Sequence, residues 1–295
     1  MKKQTDRFLR VGLIGNSDKP AFRAVIRQAA RIVARSGRAV WSDTATARFT
    51  GLKCQTAANV TALTRKVDIL LVFGGDGTIL RAARETAGSR TPILGINIGG
   101  LGFLTAVSSP DLASALKQVW AGKFRFESRA LVEATGRAAG KSFRHLALND
   151  FVVSRGGVTR LVELEVCVDN QPLTRYRADG LIVSSPTGST AYSLAAGGAI
   201  IAPTAEVFEL TPICAHTLSN RSLILPFSSK IGIKVINPRP AVVLSGDGQT
   251  LNELAEGDTI TIRRSRHSVR LLQLANATFF DTLRAKLDWR GATLK

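Results

Sequence analysis

Cysteine, tyrosine and acidic side chains are scarce in this chain of 295 residues, and it contains no long apolar run. The three cysteines, Cys54, Cys167 and Cys214, are an odd number with no CxxC pair, so the sequence gives no sign of a disulfide framework or a zinc knuckle and suits a reducing compartment. Only 2 Tyr and 3 Trp are present, too few for the base-stacking platforms of single-strand nucleic-acid binders. Lys2 and Lys3 open the sequence, but Asp6, Arg7 and Arg10 interrupt the segment in which a signal peptide would have its apolar region. No apolar stretch nears the ~20 residues of a membrane span, so a soluble, cytoplasmic protein is expected. No HExxH or GxSxG occurs, and His145, His216 and His267 have no ligand spacing, which removes zinc-enzyme and serine-hydrolase readings.

What is abundant is positive charge. Forty Lys and Arg against 22 Asp and Glu leave +18, which calls for an anionic partner such as nucleotides, polyphosphate, nucleic acid or an acidic membrane. Residues 1 to 125 hold 20 basic and 7 acidic side chains, net +13, while the remainder is only +5, so the anion-facing half is expected to be the first. At this length roughly two domains fit, and about 75% of the extended-chain surface is buried on folding.

Apolar patterning divides the chain. Residues 8 to 14 read as a strand; Ser17, Asp18 and Pro20 suit a helix start, and Phe22, Val25, Ile26, Ala29 and Val33 recur at helical spacing up to Ser36-Gly37. Ala39 to Trp41 is the next strand and 44 to 67 is less patterned. Asp68 to Phe73 is the uninterrupted run of a buried parallel strand, followed by a glycine loop and a helix over about Thr78 to Ala87. A strand at Pro92 to Ile96 and a helix at Pro110 to Ala121 complete an α/β half. After Gly122 the period becomes two, as in Val162, Leu164, Val166 and Val168, in Ile231, Ile233 and Val235, and in Ile260 and Ile262, with turns at Gly156-Gly157, Asn237-Pro238 and Gly246-Asp247-Gly248. The expected organisation is an α/β domain over 1–123, a mainly-β domain over 124–274, and a C-terminal helix in 275–295 with Phe280, Leu283 and Leu287 on one face, packing back on the first domain.

Four segments carry chemistry. Gly74-Gly75-Asp76-Gly77-Thr78 lies between a buried strand and a helix, where main-chain N–H groups face a bound anion and glycines let phosphate oxygens approach. Asp76 is the odd member: a carboxylate beside phosphates is repelled unless it holds a metal or accepts a proton from an attacking hydroxyl. The run from Asp179 to Gly198, DGLIVSSPTGSTAYSLAAGG, is rich in hydroxyls and small residues against which a base or ribose lies, with Tyr192 offering a ring. Asn149-Asp150 pairs an amide with a carboxylate able to fork across ribose hydroxyls, and equally reads as a turn dipeptide. Ser245-Gly246-Asp247-Gly248-Gln249 is a hairpin turn whose functional content lies in Asp247 and Gln249. Gly136 to Ser142 ends like a Walker A loop but has Thr135 where that motif needs glycine, and neither Gly75-x-Gly77 nor Gly100-x-Gly102 completes GxGxxG, since Leu80 and Thr105 occupy the third glycine position.

Together, in this order, the four segments resemble the bacterial NAD kinases, over about Val11 to Trp289 and including Thr211 to Cys214 and Phe280 to Trp289. The GGDG element is shared with diacylglycerol and sphingosine kinases; the DGLIVSSPTGSTAYSLAAGG segment separates them. The resemblance implies a Rossmann-like α/β N-terminal domain of the NAD kinase and diacylglycerol kinase type and a sandwich-like β C-terminal domain, with the site between them. It implies transfer of the terminal phosphoryl group of ATP, or of polyphosphate, to the 2′-hydroxyl of the adenosine ribose of NAD, with a divalent cation such as Mg2+. It implies also a homo-oligomer, dimer or tetramer, with no specific nucleic acid and no membrane as partner.

Carried over position by position, the resemblance makes Asp76 the catalytic carboxylate, puts Gly77 and Arg81 beside the phosphates, and has Asn149, Asp150, Arg160, Arg177, Asp179, Thr190, Ala191, Tyr192, Ser193 and Gln249 contact the dinucleotide. No metal-ligating residue is assigned. This sequence departs from the family pattern in having Asp150 for the more frequent Glu and Ala215 before His216 where many members have Pro. Because a ribose hydroxyl is a poor nucleophile and a carboxylate a weak base, orientation and late proton removal are expected to matter more than early deprotonation. Two rivals remain at the level of sequence: a lipid kinase sharing GGDG, with an apolar entry patch and a basic face on an anionic membrane, and a non-catalytic polyanion binder.

Arg23, Arg27, Arg31 and Arg35 recur every four residues on the first helix and repel one another mildly. They form either a solvated face or a track for polyphosphate and other polyanions.

Overall fold

The computed structural model describes residues 8–16, 21–100, 102–157, 160–216, 221–237 and 241–289; the helix start expected at Ser17, Asp18 and Pro20 and the turn residue Pro238 lie outside them. The chain divides into two compact units, Met1–Ser128 with Val269–Lys295, and Arg129–Ser268.

In the first unit strands and helices alternate: β1 (Arg10–Gly15), α1 (Ala21–Arg35), β2 (Ala39–Asp43), α2 (Thr44–Thr50), β3 (Gln55–Ala57), α3 (Val60–Thr64), β4 (Ile69–Phe73), α4 (Asp76–Glu85), β5 (Ile93–Asn97), β6 (Val107–Ser108) and α5 (Leu112–Trp120). The sheet order is β3-β2-β1-β4-β5 and every pairing is parallel, with Leu13 beside Leu71 and Leu71 beside Leu94. All five residues of β4 and of β5 are buried, as expected of central strands covered on both faces. Helix α1 buries Phe22, Ile26, Ala29, Ala30 and Val33 against this sheet, and α5 buries Leu112, Ala115, Leu116 and Val119 in the same core. At roughly 1.5–3 kcal/mol per fully buried large apolar side chain, these stripes hold the helices down.

The second unit is β throughout its framework. Its elements are β7 (Phe124–Ala138), which begins in the first unit, β8 (Lys141–Ala147), β9 (Asp150–Arg155), β10 (Val162–Val168), β11 (Gln171–Ala178), β12 (Gly180–Ser184), the short helix α6 (Tyr192–Ala195), β13 (Val207–Ile213), β14 (Leu223–Pro226), β15 (Ile231–Val235), β16 (Val242–Gly246), β17 (Gln249–Leu254) and β18 (Thr259–Leu274), whose last six residues belong to the first unit. One antiparallel sheet runs β14-β13-β12-β9-β16-β17; a second contains β11-β10-β15-β18, with β7 beside β18 and β8 beside β7. Alternate residues of both sheets, such as Val153, Val183 and Leu244 of one and Leu164, Ile233 and Ile262 of the other, form a single apolar core. The run resembling a Walker A loop is the hairpin between β7 and β8: Ala139 and Gly140 at its tip have φ of +49° and +77°. Such left-handed pairs make tight two-residue connections that match strand twist.

The last element, α7 (Phe279–Leu287), belongs to the first unit and starts with a reciprocal cap between Thr278 and Asp281. Of the three residues expected on its buried face, only Leu283 is buried; Leu287 is half-buried and Phe280 is 62% exposed.

Candidate active site

Strand β4 ends where the sheet order reverses: β1, at its side, is followed by a helix leading to β2, whereas β4 leads to β5 on the opposite side. Ligand clefts of open parallel sheets form at that position. Here the chain runs through Gly74-Gly75 into α4. The Gly74 N–H donates to Ile96 O (3.0 Å), and a Cβ on Gly74 would overlap the Thr78 side chain, so this close turn needs glycine. Gly75 is the extended N-cap and Asp76 already belongs to the helix. The helix thus begins two residues before the expected Thr78, because Gly75 caps it and the negative charge of Asp76 suits its first turn. Of the first-turn amides of α4, that of Thr78 donates to the Gly75 carbonyl (3.0 Å), whereas those of Asp76 and Gly77 precede the helical ladder and favour an anion there.

The Asp76 carboxylate is held by another loop. The Phe103 N–H donates to Oδ2 (2.9 Å) and the Leu104 N–H to Oδ1 (3.0 Å). Gly77 is exposed with open space around its Cα, and Arg81, also exposed, reaches the Gly15 carbonyl through Nη2 at 3.4 Å.

In the second unit, Asn149 and Asp150 sit at the start of β9. Asp247, at the tip of the β16–β17 hairpin with φ +48° and followed by Gly248 at +75°, turns its carboxylate onto them. It accepts from the Leu148 N–H (3.0 Å) and the Asn149 N–H (2.8 Å), while its own N–H donates to Asp150 O (3.1 Å). Ser185 N–H donates to Asn149 O (2.8 Å), and a Cβ on Gly188 would overlap that same carbonyl. Asn149 and Asp150 are both buried, at 9% and 4% exposure. Burial, and then the neighbouring Asp247 charge, push the Asp150 carboxyl up to about 7. So Asp247 anchors the Asn149 backbone, and Gln249 is the exposed first residue of β17.

The hydroxyl-rich run behaves otherwise than expected. Ser184, Ser185, Ser189 and Ser193 are at most 1% exposed and bond within the protein. Ser185 Oγ donates to Leu148 O (2.6 Å), Ser189 Oγ donates to Pro186 O (2.9 Å) and accepts from Ile201 N (3.0 Å), and Ser193 Oγ donates to Glu209 Oε2 (2.8 Å) beside Thr211 Oγ1. These hydroxyls shape the turn rather than face a ligand, because buried polar groups need partners. Thr190 and Ala191 are half-buried, and Tyr192 is 48% exposed. Glu209, fully buried, also accepts from the Ala199 N–H, and a Cβ on Gly198 would overlap Ser193 Oγ.

Hydrogen bonds therefore tie Asn149, Asp150, Asp247 and the 185–188 turn into one cluster. Arg177 and Asp179 are held separately: Arg177 Nε pairs with Glu163 (3.2 Å) across β10–β11, and Asp179 Oδ1 with Arg155 Nε (2.7 Å). Arg160 is exposed in the β9–β10 connection, and the His216 N–H donates to Arg177 O (2.9 Å). Sequence reasoning missed the amides of Phe103 and Leu104 and the buried Glu209. The signal for the first was Gly100-x-Gly102 directly after a buried strand, weighed only as a dinucleotide fingerprint. Among the described residues no three His, Cys, Asp or Glu side chains are grouped to hold a metal ion.

Comparison with known proteins agrees on both units. A family model described as ATP-NAD kinase N-terminal domain matches residues 11–124, and one described as ATP-NAD kinase C-terminal domain matches 148–274. An NAD kinase of Moorella thermoacetica is 42% identical over 284 residues, covering 96% of this chain and 90% of that protein. An NAD kinase of Paraburkholderia phytofirmans is 40% identical over 286 residues, covering 97% and 95%. Among solved structures, yeast NADH kinase complexed with NADH superposes with a TM-score of 0.87 at 27% identity, over 98% of this chain and 89% of that one. An NAD kinase from Archaeoglobus fulgidus in complex with ATP gives 0.75 at 24% identity, over 96% and 100%, and speaks to the fold alone.

Proposed function

The chain belongs to the ATP-NAD kinase family, and from that premise we propose that it transfers the terminal phosphoryl group of ATP, or of polyphosphate, to the 2′-hydroxyl of the adenosine ribose of NAD, giving NADP. The observation that carries the chemistry is the Asp76 carboxylate, fixed by two main-chain amides beside a helix N-terminus at the end of β4. In the transfer the ribose 2′-oxygen bonds to the terminal phosphorus, the bond from that phosphorus to its bridging oxygen breaks, and ADP (or the shortened polyphosphate) leaves. Asp76 orients the 2′-hydroxyl and takes its proton as the new bond forms. Gly77 and Arg81 serve the phosphates, and the α4 N-terminal amides favour their charge.

Asn149, Asp150, Arg160, Arg177, Asp179, Thr190, Ala191, Tyr192 and Gln249 engage the dinucleotide. Ser193 contributes through its main chain, its hydroxyl being bonded to Glu209 and Thr211. A divalent cation, Mg2+ in this reading, would be carried by the phosphoryl donor and would offset the donor's negative charge, and Asp76 would be the residue of the phosphate loop that orients it. NADP as acceptor is disfavoured, since a 2′-phosphate would meet Asp76.

The lipid-kinase rival is set aside by the family match over the C-terminal half, and no helix among the described residues is long and apolar enough to cross a membrane. A cytoplasmic homo-oligomer, dimer or tetramer, is part of the proposal, and light scattering measures its size. The direct test incubates purified protein with NAD and Mg-ATP or polyphosphate and reads NADP with an NADP-specific dehydrogenase. NADP formation supports the assignment; its absence with both donors overturns it.

A further inference from the structure

We propose that the loop following β5, residues 97–100 and 102–105, is a positioning device that fixes the plane of the Asp76 carboxylate, with Gly102 and Thr105 as its positioning residues. The inference rests on the reading of Asp76 as the group that receives the ribose proton. Acidic residues in the first turn of a helix commonly serve the amides of that turn. Both Asp76 oxygens instead accept from the neighbouring loop, one from Phe103 and one from Leu104. The terminal torsion of an aspartate is broad and soft, so one bond would leave the carboxylate plane free to turn. Two N–H donors on different oxygens hold it.

The loop is built to hold those two amides still. Its start and end are tied to β5: the Ser109 N–H donates to Asn97 O (2.9 Å) and the Ala106 N–H to Gly95 O (3.0 Å). Asn97 is buried, and its side chain closes the first half by donating to Gly100 O and accepting from the Gly99 N–H (2.8 Å). Thr105, also buried, closes the second half by accepting the Gly102 N–H on Oγ1 (3.2 Å). Gly102 is where loop and carboxylate touch. A Cβ there would overlap Asp76 Oδ1 and stand 2.8 Å from Asp76 Cγ and 2.9 Å from Thr105 Oγ1. The atoms in its way are the ends of short side chains, not main chain. A methyl group at 102 therefore displaces the Asp76 carboxylate and leaves the fold standing.

The experiment compares Gly102→Ala, Thr105→Val, Thr105→Ser, Asp76→Asn and the double variant Gly102→Ala with Asp76→Asn, measuring kcat, KM for NAD and Mg-ATP, and melting temperature. Gly102→Ala is expected to lower kcat by about 10²-fold while both KM values stay within about 3-fold and melting is little changed, because misplacing a reacting group by about 1 Å has a cost of that size. Thr105→Val is expected to lower kcat about 5- to 10-fold, and Thr105→Ser to restore it. If the loop acts through Asp76, Gly102→Ala adds no further loss in the Asp76→Asn background. Wild-type kcat in Gly102→Ala, or a further loss of the full 10²-fold in the double variant, overturns the proposal. So does a Thr105→Ser variant as impaired as Thr105→Val. Should Asp76→Asn alone keep wild-type turnover, the failure lies with the reading of Asp76.

Discussion

The two units treat their polar residues in opposite ways. In the first, the Asp76 carboxylate is half-exposed and is oriented by main-chain amides, while glycines clear the space around it. In the second, the conspicuous hydroxyls and carboxylates are buried and bond to one another and to the main chain, so that Asn149, Tyr192 and their neighbours are presented by a polar interior. The difference teaches that a motif's length does not measure its chemical content. GGDGT is five residues of which two, Asp76 and Gly77, are proposed to meet the substrates. The twenty residues from Asp179 to Gly198 are mostly the instructions for a turn.

The largest effect that separates the two modes is expected at Asp76. Replacing Asp76 with Asn keeps size and shape and is predicted to lower turnover by about 10²-fold or more with NAD binding retained, since the lost role belongs to the transition state. Calorimetric titration with NAD alongside steady-state rates checks both halves; near-wild-type turnover removes Asp76 from the mechanism.

In the second unit the corresponding carboxyl, Asp150, is predicted to act on stability. Its folded-state carboxyl keeps its proton up to about 7, because of burial and then the Asp247 charge, whereas the unfolded chain releases it near the ordinary value for Asp. Between these two values unfolding releases a proton, so rising pH favours the unfolded state, at up to about 1.4 kcal/mol per pH unit. Asp150→Asn removes this dependence. From pH 5 to 6.5 the variant should therefore gain about 2 kcal/mol relative to wild type in urea denaturation. Glu85, whose carboxyl burial also raises, titrates in both proteins and drops out of the difference. Parallel stability curves for the two proteins over that range would mean that Asp150 ionises normally.

A smaller effect distinguishes neighbours within one motif. Ser193→Ala leaves the buried Glu209 short of a donor and should destabilise the protein by about 1–2 kcal/mol. Tyr192→Ala, one residue earlier and half exposed, should leave melting nearly unchanged and raise KM for NAD. If both variants change KM and neither changes melting, the separation of turn-building from ligand-facing residues in this run is wrong.

This contrast also explains what could be read in advance. The strands β1, β4 and β5 and the helices α1 and α5 were legible because each carries a run or stripe of apolar residues long enough to show a period. Between 44 and 67 no pattern shows, since α2, β3 and α3 have seven, three and five residues. What starts those helices is side-chain capping, by Asp43 on the Thr46 N–H and Asn59 on the Ala62 N–H, a local signal that periodicity does not register. GGDGT was legible as a loop between strand and helix. Its amide partners lie 27 and 28 residues further on and are brought to it only by the pairing of β4 with β5. Composition likewise identified the serines from 184 to 193 as unusual but carried no information on which way their hydroxyls point.

The smallest predicted effect concerns the arginine row of α1, where the first unit uses side chains as the second does. Arg27 Nε donates to Thr50 O (2.6 Å) at the C-terminal end of α2, and the Arg23 guanidinium lies over the Phe49 ring, 5.3 Å from its centroid. A cation on the last carbonyls of a helix opposes the negative end of its dipole, so these two arginines fasten α1 to α2. Arg31 bonds back to Arg27 O at 3.4 Å, and Arg35 places its charge in the last turn of its own helix. Arg27→Gln is therefore expected to destabilise by about 0.5–1 kcal/mol, and Arg35→Gln by less, with Mg-ATP-supported NADP synthesis unchanged in both. If Arg27→Gln instead melts like wild type while polyphosphate affinity and its salt dependence fall, the row is an anion track and its contacts with α2 are incidental.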